Sequence, residues 1–224
     1  MKSEDFIKAQ ESRWFILMFD LYVRSLFFRR FKRVWIQQSY HPLSDSRTIY
    51  YLNHTSWWDG LIPFLLNRKR FRQKARAMME DKQMKEHRFF RKIGAFSVNL
   101  DQKKAMIASL RYAVDSLQEP GRSLFIFPEG KINPFTPEKP DFQKGLSWIA
   151  SKCPDADVVP VGVFISNQRH DKPECYLKVG QKVSIDNPEN SEMIHQQLES
   201  EMGTLLTELR SEMEAETFHF KKLL

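Results

Sequence analysis

The apolar residues of this chain gather into short continuous runs that stop at turns, and this spacing constrains the fold most. Arg47-Thr-Ile-Tyr-Tyr-Leu52, Ser123-Leu-Phe-Ile-Phe127 and Asp157-Val-Val-Pro-Val-Gly-Val-Phe-Ile165 are of strand length and rich in β-branched and aromatic residues. Gln73–Met79 and Gly94–Asn99 read as further short strands, with a helix through Phe89-Phe90 between them. Gln102–Glu119 has helical periodicity through Met106, Leu110, Ala113 and Leu117, and it stops at Pro120-Gly121. Leu146–Ser151 is a short helix. Ser191–Glu216 is a long packing helix using Ile194, Leu198, Met202, Leu205, Leu209 and Met213. Strands alternating with helices predict an α/β domain, a mixed sheet flanked by helices. Pro160 is expected to limit the pairing of its strand, and Glu174–Val179 to pair with Val183–Ile185.

Two features lie outside this pattern. Residues 1–40 read as an amphipathic helical segment ahead of a domain spanning 41–224. Trp14-Phe-Ile-Leu-Met-Phe19 continues through Asp20 to Trp35 with Arg24, Arg29, Arg30, Lys32 and Arg33 among bulky apolar residues. At helical spacing this gives an aromatic face with a cationic border, suited either to packing on the protein or to the membrane interface. The run is shorter than the ~18 apolar residues of a membrane-crossing helix, and polar Met1–Gln10 does not read as a secretory signal.

Charge is the second feature. Of the net +7, residues 1–104 carry +12 and residues 105–224 carry −5. A basic half of that size expects an anionic partner: lipid headgroups, a phosphorylated substrate or nucleic acid. No nucleic-acid motif accompanies it, so membrane lipid is the expected partner. Arg68-Lys-Arg70 opens a second basic run, read with Arg29 and Arg30 as a membrane or donor contact. Cys153 and Cys175 have no metal-ligand spacing, and a reducing compartment follows as the default.

The chemistry-bearing residues sit where strands end. Asn53-His-Thr-Ser-Trp-Trp-Asp-Gly60 delivers His54 on a turn, with Asp59 in the first turn of a helix capped by Thr55 or Ser56. A carboxylate bonded to one ring nitrogen fixes the tautomer and leaves the other as a base. Trp57 and Trp58 fit core positions and the lining of a ligand tunnel equally well. Phe127-Pro-Glu-Gly130 turns a second buried strand, with Glu129 able to hold acceptor groups and the Gly130 N–H an oxyanion.

Together these residues resemble the lysophosphatidic acid acyltransferase family of the glycerolipid acyltransferases. Four blocks fall in the family's order: Asn53-His54-x4-Asp59, Gly94-Ala-Phe96, Phe127-Pro-Glu-Gly130 and Val158-Val-Pro-Val161. The resemblance spans roughly residues 45–185 and implies acyl transfer from a thioester of coenzyme A or acyl carrier protein to a lipid hydroxyl. It implies His54 as general base and Asp59 as its orienter. Asn53, Glu129, Gly130 and Lys131 are then the substrate-binding residues, at the cytoplasmic face of a membrane with no metal or other cofactor.

Two departures separate the chain from the family pattern. Leu100 ends the second block where the family usually has Arg, and the third reads Glu129-Gly130-Lys131-Ile132 where the family has Glu-Gly-Thr-Arg. Neither Leu nor Ile replaces a bidentate Arg–phosphate contact. A neutral or glycosylated lipid, or another lysolipid, is therefore the expected acceptor. Lysophosphatidic acid and a non-catalytic lipid-binding protein are the alternatives.

Overall fold

The computed structural model describes residues 6–136, 140–185, 187–214 and 219–224. Among them, β1 (Arg33–Gln38), β2 (Thr48–Leu52), β3 (Lys74–Glu80), β4 (Ala95–Val98), β5 (Arg122–Ile126), β6 (Asp157–Ser166), β7 (Glu174–Val179) and β8 (Lys221–Lys222) form one sheet. Its order is β4-β3-β5-β2-β6-β7-β1-β8. The first five strands in that order are mutually parallel, β7 runs antiparallel to β6, and β1 lies parallel to β7. The sheet is mixed and flanked by helices, as the alternation of elements predicts.

Strand β2 is central and buried along its whole length, which is why it is apolar without alternation. Ile49 and Tyr51 join one core with helices α4 (Lys103–Ser116), α5 (Gly145–Lys152) and α6 (Ser191–Glu214). Tyr50 and Leu52 join the opposite core with α1 (Arg13–Arg30) and α2 (Ile62–Leu66). Tyr50 stacks on Phe71 at 4.2 Å and Phe125 at 4.9 Å between ring centroids. Burying each such ring contributes roughly 1.5–3 kcal/mol.

Several expectations are corrected. The helix expected to run through Trp35 ends at Arg30, where Phe31 turns extended. Val34 and Ile36 then bury themselves in β1, against β7. That pairing also explains why β7 does not pair with Val183–Ile185: its two edges are taken by β6 and β1, and Val183 makes only a bridge to Val158. Pro160 does not confine its strand, because β6 is paired on both sides. The Pro160 carbonyl accepts from Gly180 just beyond the β6–β7 ladder, so the missing N–H falls where no ladder bond is needed.

The helix expected through Phe89-Phe90 breaks into α3 (Asp81–Glu86) and a 3₁₀ turn, Arg88–Ile93, that Gly94 closes. Gly94 has φ +103°, and a Cβ there would run into the Ala75 carbonyl oxygen. The Gly-Ala-Phe block is thus architectural. Residues 219–224 pack on the sheet. Phe220 is buried against Tyr176, and Lys221–Lys222 add a short strand to β1. Residues 215–218, which hold the expected end of the long helix and Phe218, lie outside the described residues.

Candidate active site

In the parallel pairing of β2 with β5, Tyr51 stands opposite Ile126. Three residues beyond that pair, the strands deliver His54 and Glu129 at the same sheet edge. Carboxyl ends of parallel strands are where open α/β sheets bind ligands. Asn53 fixes the exit of β2: its side-chain amide donates to Val163 O at 2.9 Å and accepts from Val163 N at 2.7 Å. The side chain is buried and extends the ladder to β6, so its amide is fully engaged by backbone.

After His54, the chain enters a 3₁₀ turn, Trp57–Leu61, capped at Ser56. Asp59 in that turn is 0% exposed. A carboxylate so deeply buried costs several kcal/mol unless its oxygens are satisfied. Here Oδ2 accepts from Thr55 N at 2.5 Å and Ser56 N at 2.7 Å, and Oδ1 accepts from Ser56 Oγ at 2.7 Å. His54 Nδ1 lies 3.3 Å from the same Oδ2. A carboxylate only accepts, so in the neutral ring Nδ1 carries the proton and Nε2 keeps its lone pair. The imidazole leans on Phe127, with 4.5 Å between centroids, and stays partly open to solvent.

Glu129 is buried and grips the histidine's own backbone. Oε1 accepts from His54 N at 2.9 Å, and Oε2 accepts from Asn133 Nδ2 at 2.6 Å. Asn133 N in turn donates to His54 O at 2.8 Å. The three residues close a ring that fixes the peptide on either side of the histidine. Asn133 carries no motif signal; only the folded turn brings it back to His54. The Gly130 N–H donates to Phe127 O at 3.1 Å, with φ +70°, and so closes the turn rather than standing free for an oxyanion.

The rim differs in character. A Cβ on Gly130 would lie 3.8 Å from Leu100 Cδ1, so Leu100 sits beside the Glu-Gly turn. Leu100 is 46% exposed, Ile132 53% and Trp57 62%, large apolar groups left in water. Lys131 is exposed beside them. Trp58 is half-buried and packs edge-on against Phe31 at 5.1 Å, which makes it core. No cysteine supplies a nucleophile: Cys175 is fully buried, and burial with the nearby Asp59 charge pushes its thiol far up. Burial likewise raises Cys153 to about 11.

The basic residues divide into two groups. Arg29 and Arg30 stand exposed in the last turn of α1. Arg68, Lys69 and Arg70 lie on a π-helical turn, Asn67–Phe71, that continues α2. Arg68 approaches Asp20 of α1 at 3.7 Å.

Against known proteins, residues 29–164 match the model of the acyltransferase family. Among solved structures, the chain is similar to the 1-acyl-sn-glycerophosphate (LPA) acyltransferase PlsC from Thermotoga maritima. The TM-score is 0.59 at 20% identity, over 85% of this chain and 79% of that one. No curated protein sequence matches.

Proposed function

The chain belongs to the acyltransferase family and is an enzyme of that class; from this premise we propose that it moves a fatty acyl chain from a thioester to a lipid hydroxyl. The donor is acyl-coenzyme A or acyl-carrier protein, and His54 is the general base. The observation that carries this reading is the 3.3 Å approach of His54 Nδ1 to a carboxylate buried for no other charge partner among the described residues. A lipid-binding protein without catalysis has no use for that arrangement.

In the reaction, the acceptor hydroxyl gives its proton to His54 Nε2 as its oxygen attacks the thioester carbonyl. Asp59 stabilises the imidazolium that forms. Collapse of the tetrahedral intermediate breaks the carbon–sulfur bond, and the departing thiolate recovers the proton from Nε2. The products are an ester and a free thiol. Glu129 and Asn133 contribute by holding His54 in place.

The exposed Leu100 and Ile132 favour an acceptor without a phosphate monoester at this rim, since neither side chain offers a donor. A second reading, lysophosphatidic acid as acceptor, is favoured by the fold shared with the Thermotoga enzyme. The exposed apolar residues of α1, Trp14, Leu17, Leu21 and Phe28, favour an enzyme peripheral to a membrane. The unpaired cysteines favour its cytoplasmic, reducing side.

The test is transfer by the purified protein from labelled acyl thioester to lysophosphatidic acid and to monoacylglycerol, its phosphate-free counterpart. A higher kcat/KM on the phosphate-free acceptor is expected. Preference for lysophosphatidic acid would establish the second reading, and no ester with either donor across lipid acceptors would remove the enzymatic one.

A further inference from the structure

Midway along α1, Asp20 is 6% exposed on a helix otherwise dominated by apolar side chains. Arg24 grips it with both arms of its fork, Nε to Oδ1 at 3.0 Å and Nη2 to Oδ2 at 2.6 Å. Arg68, from the turn after α2, brings Nη2 only to 3.7 Å of Oδ2, beyond hydrogen-bond reach. Its Nε is buried and donates to nothing among the described residues. Lys69 is part of the same group: burial, then the Arg24 charge, lowers its pKa against the opposing pull of Asp20.

Three cations therefore share one carboxylate that a single arginine already occupies. Half-buried like charges repel, and the partly exposed Arg68 guanidinium is not hydrogen-bonded to the carboxylate that Arg24 occupies. An anion beside Arg68 would relieve that repulsion. The neighbourhood says which source supplies it. Leu17, Leu21, Arg24 and Phe28 follow one another at helical i, i+4, i+7, i+11 spacing, so Arg24 stands in a single row with apolar residues. Leu21 is 67% exposed and Phe28 81%. A soluble phosphate compound has no use for that flanking apolar row. A phospholipid surface takes the apolar chains below its headgroups and leaves the cations at the phosphate level.

We propose that Arg24, Arg68 and Lys69, organised by Asp20, form a binding site for the phosphate of a membrane phospholipid headgroup. The site rests on the peripheral-membrane reading of the proposed function and adds a discrete ligand to it. Asp20 holds Arg24 in position, and the partly exposed guanidinium of Arg68, which Asp20 does not hydrogen-bond, supplies the bidentate contact.

The experiment is flotation of the purified protein on vesicles of phosphatidylcholine and phosphatidylglycerol, comparing Arg68→Lys with Arg111→Lys, at an exposed position on α4 on the other side of the sheet. Both variants keep the net charge, so diffuse attraction treats them alike. Arg68→Lys is expected to lose about tenfold in partitioning, because an ammonium cannot reproduce the fork; Arg111→Lys is expected to match wild type. Arg24→Lys, with thermal unfolding recorded alongside, gives a second variant in case Arg68→Lys misfolds, and the same loss is expected. Equal partitioning of all variants and wild type would overturn the site. So would coenzyme A binding, by equilibrium dialysis, that falls with Arg68→Lys while flotation does not, since the cluster would then serve the soluble donor. A wild type that shows the flotation pattern yet transfers no acyl group would instead refute the proposed function and leave the site standing.

Discussion

Two neighbouring parts of the sheet edge are built on opposite principles. At the His54 corner, every carboxylate oxygen of Asp59 and Glu129 has a donor, and the donors are mostly backbone amides or motif side chains. At the rim, Leu100 and Ile132 expose apolar side chains beside the Glu-Gly turn and make no polar contact of their own. The corner is held rigid by satisfied buried polar groups, which tolerate little change. The rim is held by nothing comparable, so its residue types can differ between relatives at small structural cost. In the proposed function, reaction type resides in the first region and acceptor choice in the second.

Changes at the corner should have the larger effects. Asp59→Asn keeps the shape, with the carboxamide oxygen facing the Thr55, Ser56 and His54 N–H groups and the NH2 facing Ser56 Oγ, but removes the negative charge that steadies the imidazolium. Transfer should fall about 10³-fold, as for other orienting carboxylates, with a lower melting temperature; kcat measured beside a thermal scan checks both. Next comes the ring around the histidine. Asn133→Ala and Glu129→Gln each break it, and each should lower kcat about tenfold while acceptor KM stays near wild type. A rise in acceptor KM at constant kcat would mean that Glu129 holds the acceptor instead, and the corner would extend into the rim.

The smallest effect is expected at the rim itself. Leu100→Arg with Ile132→Arg restores two forked donors beside Gly130. The ratio of kcat/KM for phosphorylated over phosphate-free acceptor should rise by about tenfold, with little change in melting temperature. An unchanged ratio would sever acceptor choice from these positions.

Much of the fold was legible because β2, β5 and β6 are apolar runs bounded by turns, a signal that survives without tertiary context. The errors share one cause. Residues 33–38 carry bulky apolar and basic residues that suit helix or strand, and only the open edge of β7 decides between them. Pro160 was misleading for a similar reason, since its cost depends on which neighbour its nitrogen faces. The His54–Asp59 pair was legible because a spacing of five positions bridges a strand end and the next helical turn. Glu129 was legible as lying on a turn at the same sheet edge as His54 but not in its contact with the His54 backbone, and Asn133 not at all, because their meeting depends on a turn whose path no local pattern encodes. Two of the four blocks, at Gly94 and at Val158–Val161, proved to build the sheet rather than the site.

The most direct test of His54 as the base is the rate of acyl transfer by His54→Ala against wild type at saturating donor and acceptor, with thermal unfolding as the control for folding. His54 is partly exposed, and Asp59 Oδ2, to which its ring donates, keeps the Thr55 and Ser56 N–H donors without it, so the variant should melt near wild type. Its transfer rate should drop by about 10³-fold or more. A folded His54→Ala variant that transfers at the wild-type rate would contradict the account.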